Sequence, residues 1–392
     1  MNIIDYAEKN GIYDFSERPF CEVDSLVISQ LSYLKFDEIV PKPEDRSEGV
    51  ILSSIVNHDK YDTIYRDERY REINTRFFEA LCNSKRFGNL RLNNFADIIN
   101  DSIDVQFSAM SVEDGKGFRY IVFRGTDDNV VGWKEDLNMT FKTPIPAQIY
   151  SVRFLEAVAS KFSGGFVVGG HSKGGNLAVY ASMNCDKATR ERIISIYSHD
   201  GPGFREELLE DSCYDEIAGR IFKYVPKSAF FGMFGNVEEY TVVDCEKYGV
   251  KQHNPYNWIV DGFEFKRAEH IGKYSEFKTD AINSWANEMT PEKWAMLSDN
   301  LFGALEKAGV TNMNDFNDDF FGTLAKVREA AEEIDDESKE QIRAILGMFK
   351  DTAKSIARED AIEGVKSVEQ SIIRAKDATV EKMMHAVSKR ES

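Results

Sequence analysis

Phe166-Val167-Val168-Gly169-Gly170-His171-Ser172-Lys173-Gly174-Gly175-Asn176-Leu177-Ala178-Val179-Tyr180-Ala181 is an apolar run that ends in glycine, passes through a serine, and resumes as a helix-forming segment. Its centre, Gly170-His171-Ser172-Lys173-Gly174, fits the pattern G-x-S-x-G. A serine on a tight strand-to-helix turn is held in a strained backbone conformation, and the residues two positions away must be small for strand and helix to close. The hydroxyl then projects from the sheet edge beside a helix N-terminus, whose positive end favours the oxyanion of acyl transfer. A plain glycine-rich turn between strand and helix is the alternative.

Outward from this segment the chain alternates strand and helix signals. Phe107 to Val112 and Phe118 to Phe123 read as strands joined by the turn Asp114-Gly115-Lys116-Gly117. Ile193–Tyr197, Ile221–Val225 and Tyr240–Cys245 read as further buried strands, and residues 24–36, 61–82 and 148–162 as helices, the first with Asp24 as N-cap. Nearly all-apolar strands separated by helices predict an α/β fold with a mainly parallel central sheet covered on both faces.

The 392 residues include 27 Phe and are 42 % hydrophobic, enough for a sizeable core and for two domains or one with an appendage. The last proline is Pro291. Residues 1–290 form the predicted α/β domain. Residues 291–392, with stretches such as 341–349 and 361–368, predict an all-helical extension, either a solvated bundle or a surface for a partner protein or self-association. A net charge of −18 disfavours nucleic acid and anionic membranes as partners. Five unpaired-looking cysteines without a CxxC motif speak against disulfides and a zinc site, and fit a reducing cytoplasm. Neither a signal peptide nor a stretch of the ~20 apolar residues needed to span a membrane is visible.

A second signal lies upstream: Val122-Phe123-Arg124-Gly125-Thr126-Asp127-Asp128, then Trp133 and Asp136. A strand ending in Gly-Thr aims the Thr126 amide at the space above the serine, and the Lys173 amide follows the nucleophile. Together they form a candidate oxyanion hole. F-R-G-T with W-x-x-D and G-H-S-x-G-G resembles the class 3 (fungal-type) lipases of the α/β-hydrolase superfamily. More closely, the body resembles a bacterial lipase-like family within it, through residues 19–24, 31–34, 170–180, Asp200-Gly201-Pro202-Gly203-Phe204, Tyr224-Val225-Pro226-Lys227-Ser228 and Gln252-His253-Asn254-Pro255. The resemblance covers roughly residues 1–290 and implies an α/β-hydrolase fold with a serine hydrolase architecture.

In that fold the order is serine, acid, histidine. Of the histidines after Ser172, His253 sits in a loop beyond the last strands and is the stronger candidate base; His270, in a charged run, reads as a surface residue. Class 3 lipases carry the acid just before a Val-Pro pair, where this chain has Lys223 and Tyr224. Asp200, at the end of the strand after the nucleophile's, takes that role instead, with Asp244 as runner-up; a turn-holding or helix-capping Asp200 is the alternative. For the Lys173 side chain two readings stand: an anion-binding group for substrate, or a surface lysine paired with a neighbouring acid. Phe230-Phe231-Gly232-Met233-Phe234-Gly235 reads as pocket wall, lid or ordinary core. The leading expectation is a Ser172–His253–Asp200 hydrolase of a small-molecule or lipid carboxylic ester or thioester that needs neither metal nor organic cofactor. Acyl transfer to another acceptor, and an inactive scaffold whose helical tail binds a partner, remain alternatives.

Overall fold

The computed structural model describes residues 1–65, 70–127, 129–139, 141–210, 212–229, 231–235, 239–247, 249–272 and 290–310, with 283, 326 and 329 singly. The predicted helical segments 341–349 and 361–368 lie outside these residues. Three helices lie in the N-terminal part: α1 (Ile3–Asn10), α2 (Glu22–Leu31) and, after the first strand, α3 (Arg71–Cys82). Eight strands follow one another across a single sheet in chain order. They are β1 (Val50–Ile51), β2 (Arg91–Asn100), β3 (Val105–Glu113), β4 (Arg119–Phe123), β5 (Phe166–His171), β6 (Ile193–His199), β7 (Ile221–Pro226) and β8 (Thr241–Val243). The first four pair antiparallel; β4 through β8 run parallel. The chain is an α/β protein whose sheet carries β5, the strand that leads into Ser172, near its centre.

Parallel strands laid down in one direction place their right-handed crossovers on one face. Those crossovers carry α4 (Val130–Asn138), α5 (Pro146–Ala159), α6 (Lys173–Asn184), α7 (Lys187–Glu191), α8 (Glu206–Leu209) and α9 (Ser212–Ala218). The two-residue period of a strand divides the core accordingly. Ile121, Phe123 and Val168 pack with Phe154, Leu155 and Val158 of α5 and Leu177 and Ala178 of α6. Their neighbours Tyr120, Val122 and Val167 point the other way, into a cluster with Tyr6, Leu26, Val27, Phe77 and Phe78. The N-terminal ninety residues are thus the cover for the face the crossover helices leave bare. Within that cover Asp24 is not the N-cap; Cys21 is, and Asp24 lies in the first turn, where its carboxylate accepts from the Cys21 amide at 2.9 Å and pairs with buried Arg86.

After β8 come the short pair β9 (Val260–Asp261) and β10 (Glu264–Phe265), then α10 (Pro291–Lys307). The apolar stripe Trp294, Leu297 and Leu301 of α10 is buried, and the helix packs on α4. Trp294 stacks on Phe141, and Ser298 Oγ bonds Asn138 Oδ1 at 2.8 Å. Among the described residues no helix is long and apolar enough to cross a membrane.

Candidate active site

Ser172 lies between the end of β5 and the first residue of α6 with φ 57° and ψ −132°, a conformation that side chains rarely adopt. Such strain costs of order 1–3 kcal/mol and persists only where the surroundings impose it. Here the Ser172 amide donates to the His199 carbonyl at 2.9 Å, and its carbonyl accepts from Gly175 at 2.9 Å. The glycines explain themselves sterically. A methyl at Gly174 would strike the Phe123 carbonyl of the next strand, one at Gly170 would lie 2.5 Å from the same oxygen, and one at Gly125 would lie 3.0 Å from Ser172 Cβ.

The structure brings His253 and Asp200 together. Asp200 is fully buried just past β6, with a left-handed φ of 50°. Its Oδ2 accepts from His253 Nδ1 at 2.6 Å, and its Oδ1 accepts from the Gly232 amide at 3.1 Å. A carboxylate can only accept from His253 Nδ1–H, so the proton sits there and Nε2 is left as the basic nitrogen. Asp244 does not share this site; it pairs with Lys266 at 3.0 Å. His270 is exposed. Lys223 donates to the Gly201 carbonyl at 2.6 Å, bracing the turn after Asp200. Burial lowers its pKa to about 8, and the Asp200 charge opposes that fall.

His253 is also tied to the elbow. The His171 ring lies 4.6 Å from the His253 ring, centre to centre, and His171 Nε2–H donates to the His253 carbonyl at 2.8 Å. Burial, helped by the nearby His253, pushes the His171 pKa well down, so the ring is neutral. Its Nδ1 then accepts from the Tyr33 hydroxyl at 2.9 Å. The residue before Ser172 is thereby bonded to the backbone of the candidate base.

Among the described residues, the Thr126 and Lys173 amides are spent on no backbone carbonyl. Thr126 Oγ1 donates to Asp136 Oδ1 at 2.8 Å. Burial raises the Asp136 pKa, against the opposing pull of Lys173. The Lys173 side chain does pair with a neighbouring acid, Glu135, but inside the protein rather than at its surface. It is 2 % exposed and donates to the Gln106 carbonyl (2.9 Å), Gln106 Oε1 (3.0 Å) and Glu135 Oε2 (3.0 Å). Four residues of this region escape a reading of the sequence: Gly232, Glu135, Gln106 and Tyr33 acquire their roles only through contacts between distant segments. For Gly232 a signal existed in the glycine punctuation of its loop, and for Tyr33 in the stretch 31–34 that carries the family resemblance. Among the described residues no cluster of three or more His, Cys, Asp or Glu is placed to hold a metal ion.

Residues 81–303, from the end of α3 into α10, match the profile of the Mbeg1-like family. The chain belongs to the Mbeg1-like family. That span holds the strand-to-helix turn at Ser172, Thr126, Asp200 and His253 of this Mbeg1-like chain. Among solved structures it is similar to the crystal structure of M37 lipase, at 15 % identity and a TM-score of 0.36, covering 54 % of this chain and 69 % of that one. It is also similar to native Rhizomucor miehei lipase in its propeptide complex, at 18 % identity and a TM-score of 0.31, covering 39 % and 57 %. The search of curated proteins returned no match.

Proposed function

We propose that this chain is a serine hydrolase of the α/β-hydrolase fold that cleaves a carboxylic ester or thioester. One observation carries the reading. A strained serine at a strand-to-helix turn directly follows His171, whose ring lies 4.6 Å from that of His253, and His253 Nδ1 is held 2.6 Å from a buried carboxylate. In the proposed reaction Ser172 Oγ attacks the carbonyl carbon while His253 Nε2 takes its proton. The resulting imidazolium is stabilised by Asp200 and held in place by the His171–carbonyl bond. The Thr126 and Lys173 amides donate to the oxyanion. When the tetrahedral adduct collapses, the proton on Nε2 passes to the leaving alkoxide or thiolate. Water, deprotonated by the same nitrogen, then releases the acid and restores Ser172.

The catalytic domain in this proposal lies within residues 1–290. Residues 291–392 form an extension that begins with α10 and offers a surface for a partner protein or a second copy. Labelling with a fluorophosphonate tests the reading. Wild type is expected to react, and Ser172→Ala and His253→Ala are not. Folded wild type that stays unlabelled removes the hydrolase reading and leaves the inactive scaffold.

A further inference from the structure

A buried lysine one residue past the nucleophile is an expensive choice. Fully buried ion pairs gain little stability over apolar residues of the same volume, and leave a costly lone charge when one partner is lost. Here the pair is complete. The three ammonium protons of Lys173 meet three acceptors: two oxygens of Gln106 and Glu135 Oε2. Glu135, 0 % exposed, also accepts from the Gln106 amide at 3.1 Å and the Ala147 amide at 2.8 Å. One carboxylate thus joins the start of β3, the start of α5, helix α4 and the first residue of α6. A methyl on Gly132 would fall against the Gln106 side chain, so α4 lies close on this cluster. The next residue of α4, Asp136, holds Thr126.

We propose that Glu135 is a positioning residue. Through the Lys173 ammonium it fixes the first turn of α6, and with it the Lys173 amide, relative to Thr126. The assignment rests on the serine hydrolase reading and adds to it the group that sets the spacing of the two oxyanion donors. Glu135 touches no reacting atom; its effect passes through Lys173. A brace of this kind acts on the transition state, because the donors must meet an oxygen that has moved out of the ground-state carbonyl plane.

The test uses the full chain. Glu135→Gln alone leaves the Lys173 charge with only Asp136, at 3.7 Å, as a carboxylate partner and is at risk of misfolding, so the neutral pair Glu135→Gln/Lys173→Met is made beside it. Two quantities are read: kcat and KM on a p-nitrophenyl ester, and the backbone 15N order parameter of residue 173. The neutral pair is expected to lose ~10–100-fold in kcat, somewhat less than deletion of an oxyanion donor costs, with KM held within about twofold. Its order parameter at residue 173 is expected to fall. A folded neutral pair with wild-type kcat, or one whose loss lies in KM alone, overturns the proposal. If wild type itself shows no turnover that depends on Ser172, the hydrolase reading fails, and the order parameter alone decides: an unchanged value overturns the brace.

Discussion

Replacing Gly232 with alanine adds one methyl group and should disarm the site. Gly232 lies outside the left-handed region, so its backbone accepts alanine without strain. The space around it does not. The added Cβ would collide with Asp200 Oδ1 and lie 2.9 Å from Val225 Cγ1 and 3.1 Å from Asp200 Cα. Non-bonded atoms settle at ~3.5–4.0 Å, so either the carboxylate or the loop must yield by on the order of 1 Å. Asp200 sits fully buried at the foot of β6, whereas Gly232 belongs to a short turn, Phe231–Met233. The turn therefore moves, the Gly232 amide leaves Oδ1, and the carboxylate loses one of the two bonds that aim it at His253. Misplacement by about 1 Å near a reacting centre costs roughly 10²-fold, or about 2.7 kcal/mol of barrier. Steady-state hydrolysis of a p-nitrophenyl ester by Gly232→Ala should show that loss in kcat with the fold retained by circular dichroism. Gly219→Ala, where a methyl meets nothing within 4 Å, serves as the control. A folded Gly232→Ala with wild-type kcat would refute the claim that Asp200 orients the base.

Two further outcomes follow from buried charge. His199 is buried with its pKa lowered to about 3, and that of His171 is lowered as well, both first by burial. Both rings stay neutral in the fold and gain protons on unfolding, so stability should fall as pH drops below ~6.5, by about 1.4 kcal/mol per pH unit for each histidine. Urea unfolding across this range should lose one proton's worth of slope in His199→Gln; an unchanged slope would contradict the assignment. Arg86 and Asp24 form a fully buried pair, and Arg86 also donates to the carbonyls of Arg18 and Pro19. Arg86→Met should cost about 3–5 kcal/mol in urea melts, because Asp24 is left as a lone buried charge; a loss below ~1 kcal/mol would show that water or a neighbour replaces the guanidinium.

The elbow was legible because its chemistry is local: strand, small residue, serine, small residue and helix succeed one another within a dozen positions. Helices α5 and α6 and the parallel strands were legible for the same reason, through period and apolar content, whereas the shorter crossover helices α4, α7 and α9 were not read. The antiparallel half was harder. Arg91–Asn100 carries Arg91, Asn93, Asn94, Asp97 and Asn100, and its pattern is further broken by a register shift between Asn93 and Ala96. It becomes a strand by pairing with Val105–Glu113, which no local pattern announces. Helix α1 escaped too, since Ile3, Ile4, Tyr6 and Ala7 find their apolar partners far along the chain. The Lys173 side chain illustrates the limit most clearly. A lysine in the first turn of a helix reads as solvated or substrate-facing, and only the three-dimensional meeting of Gln106 and Glu135 turns it inward. Gly232 is a contact of the same kind, a loop amide delivered to Asp200 across 32 residues.

In the proposed reaction Ser172 becomes acylated. The most direct measurement mixes the protein with p-nitrophenyl acetate, quenches in acid, and maps the acyl group by peptide mass spectrometry in wild type, Ser172→Ala and Asp200→Asn. One acetyl group is expected on the peptide containing Ser172 in wild type, none in Ser172→Ala, and much slower acylation of the same residue in Asp200→Asn. Acetylation confined to lysines, equal in all three proteins, would contradict it and leave the hydrolase fold as a scaffold.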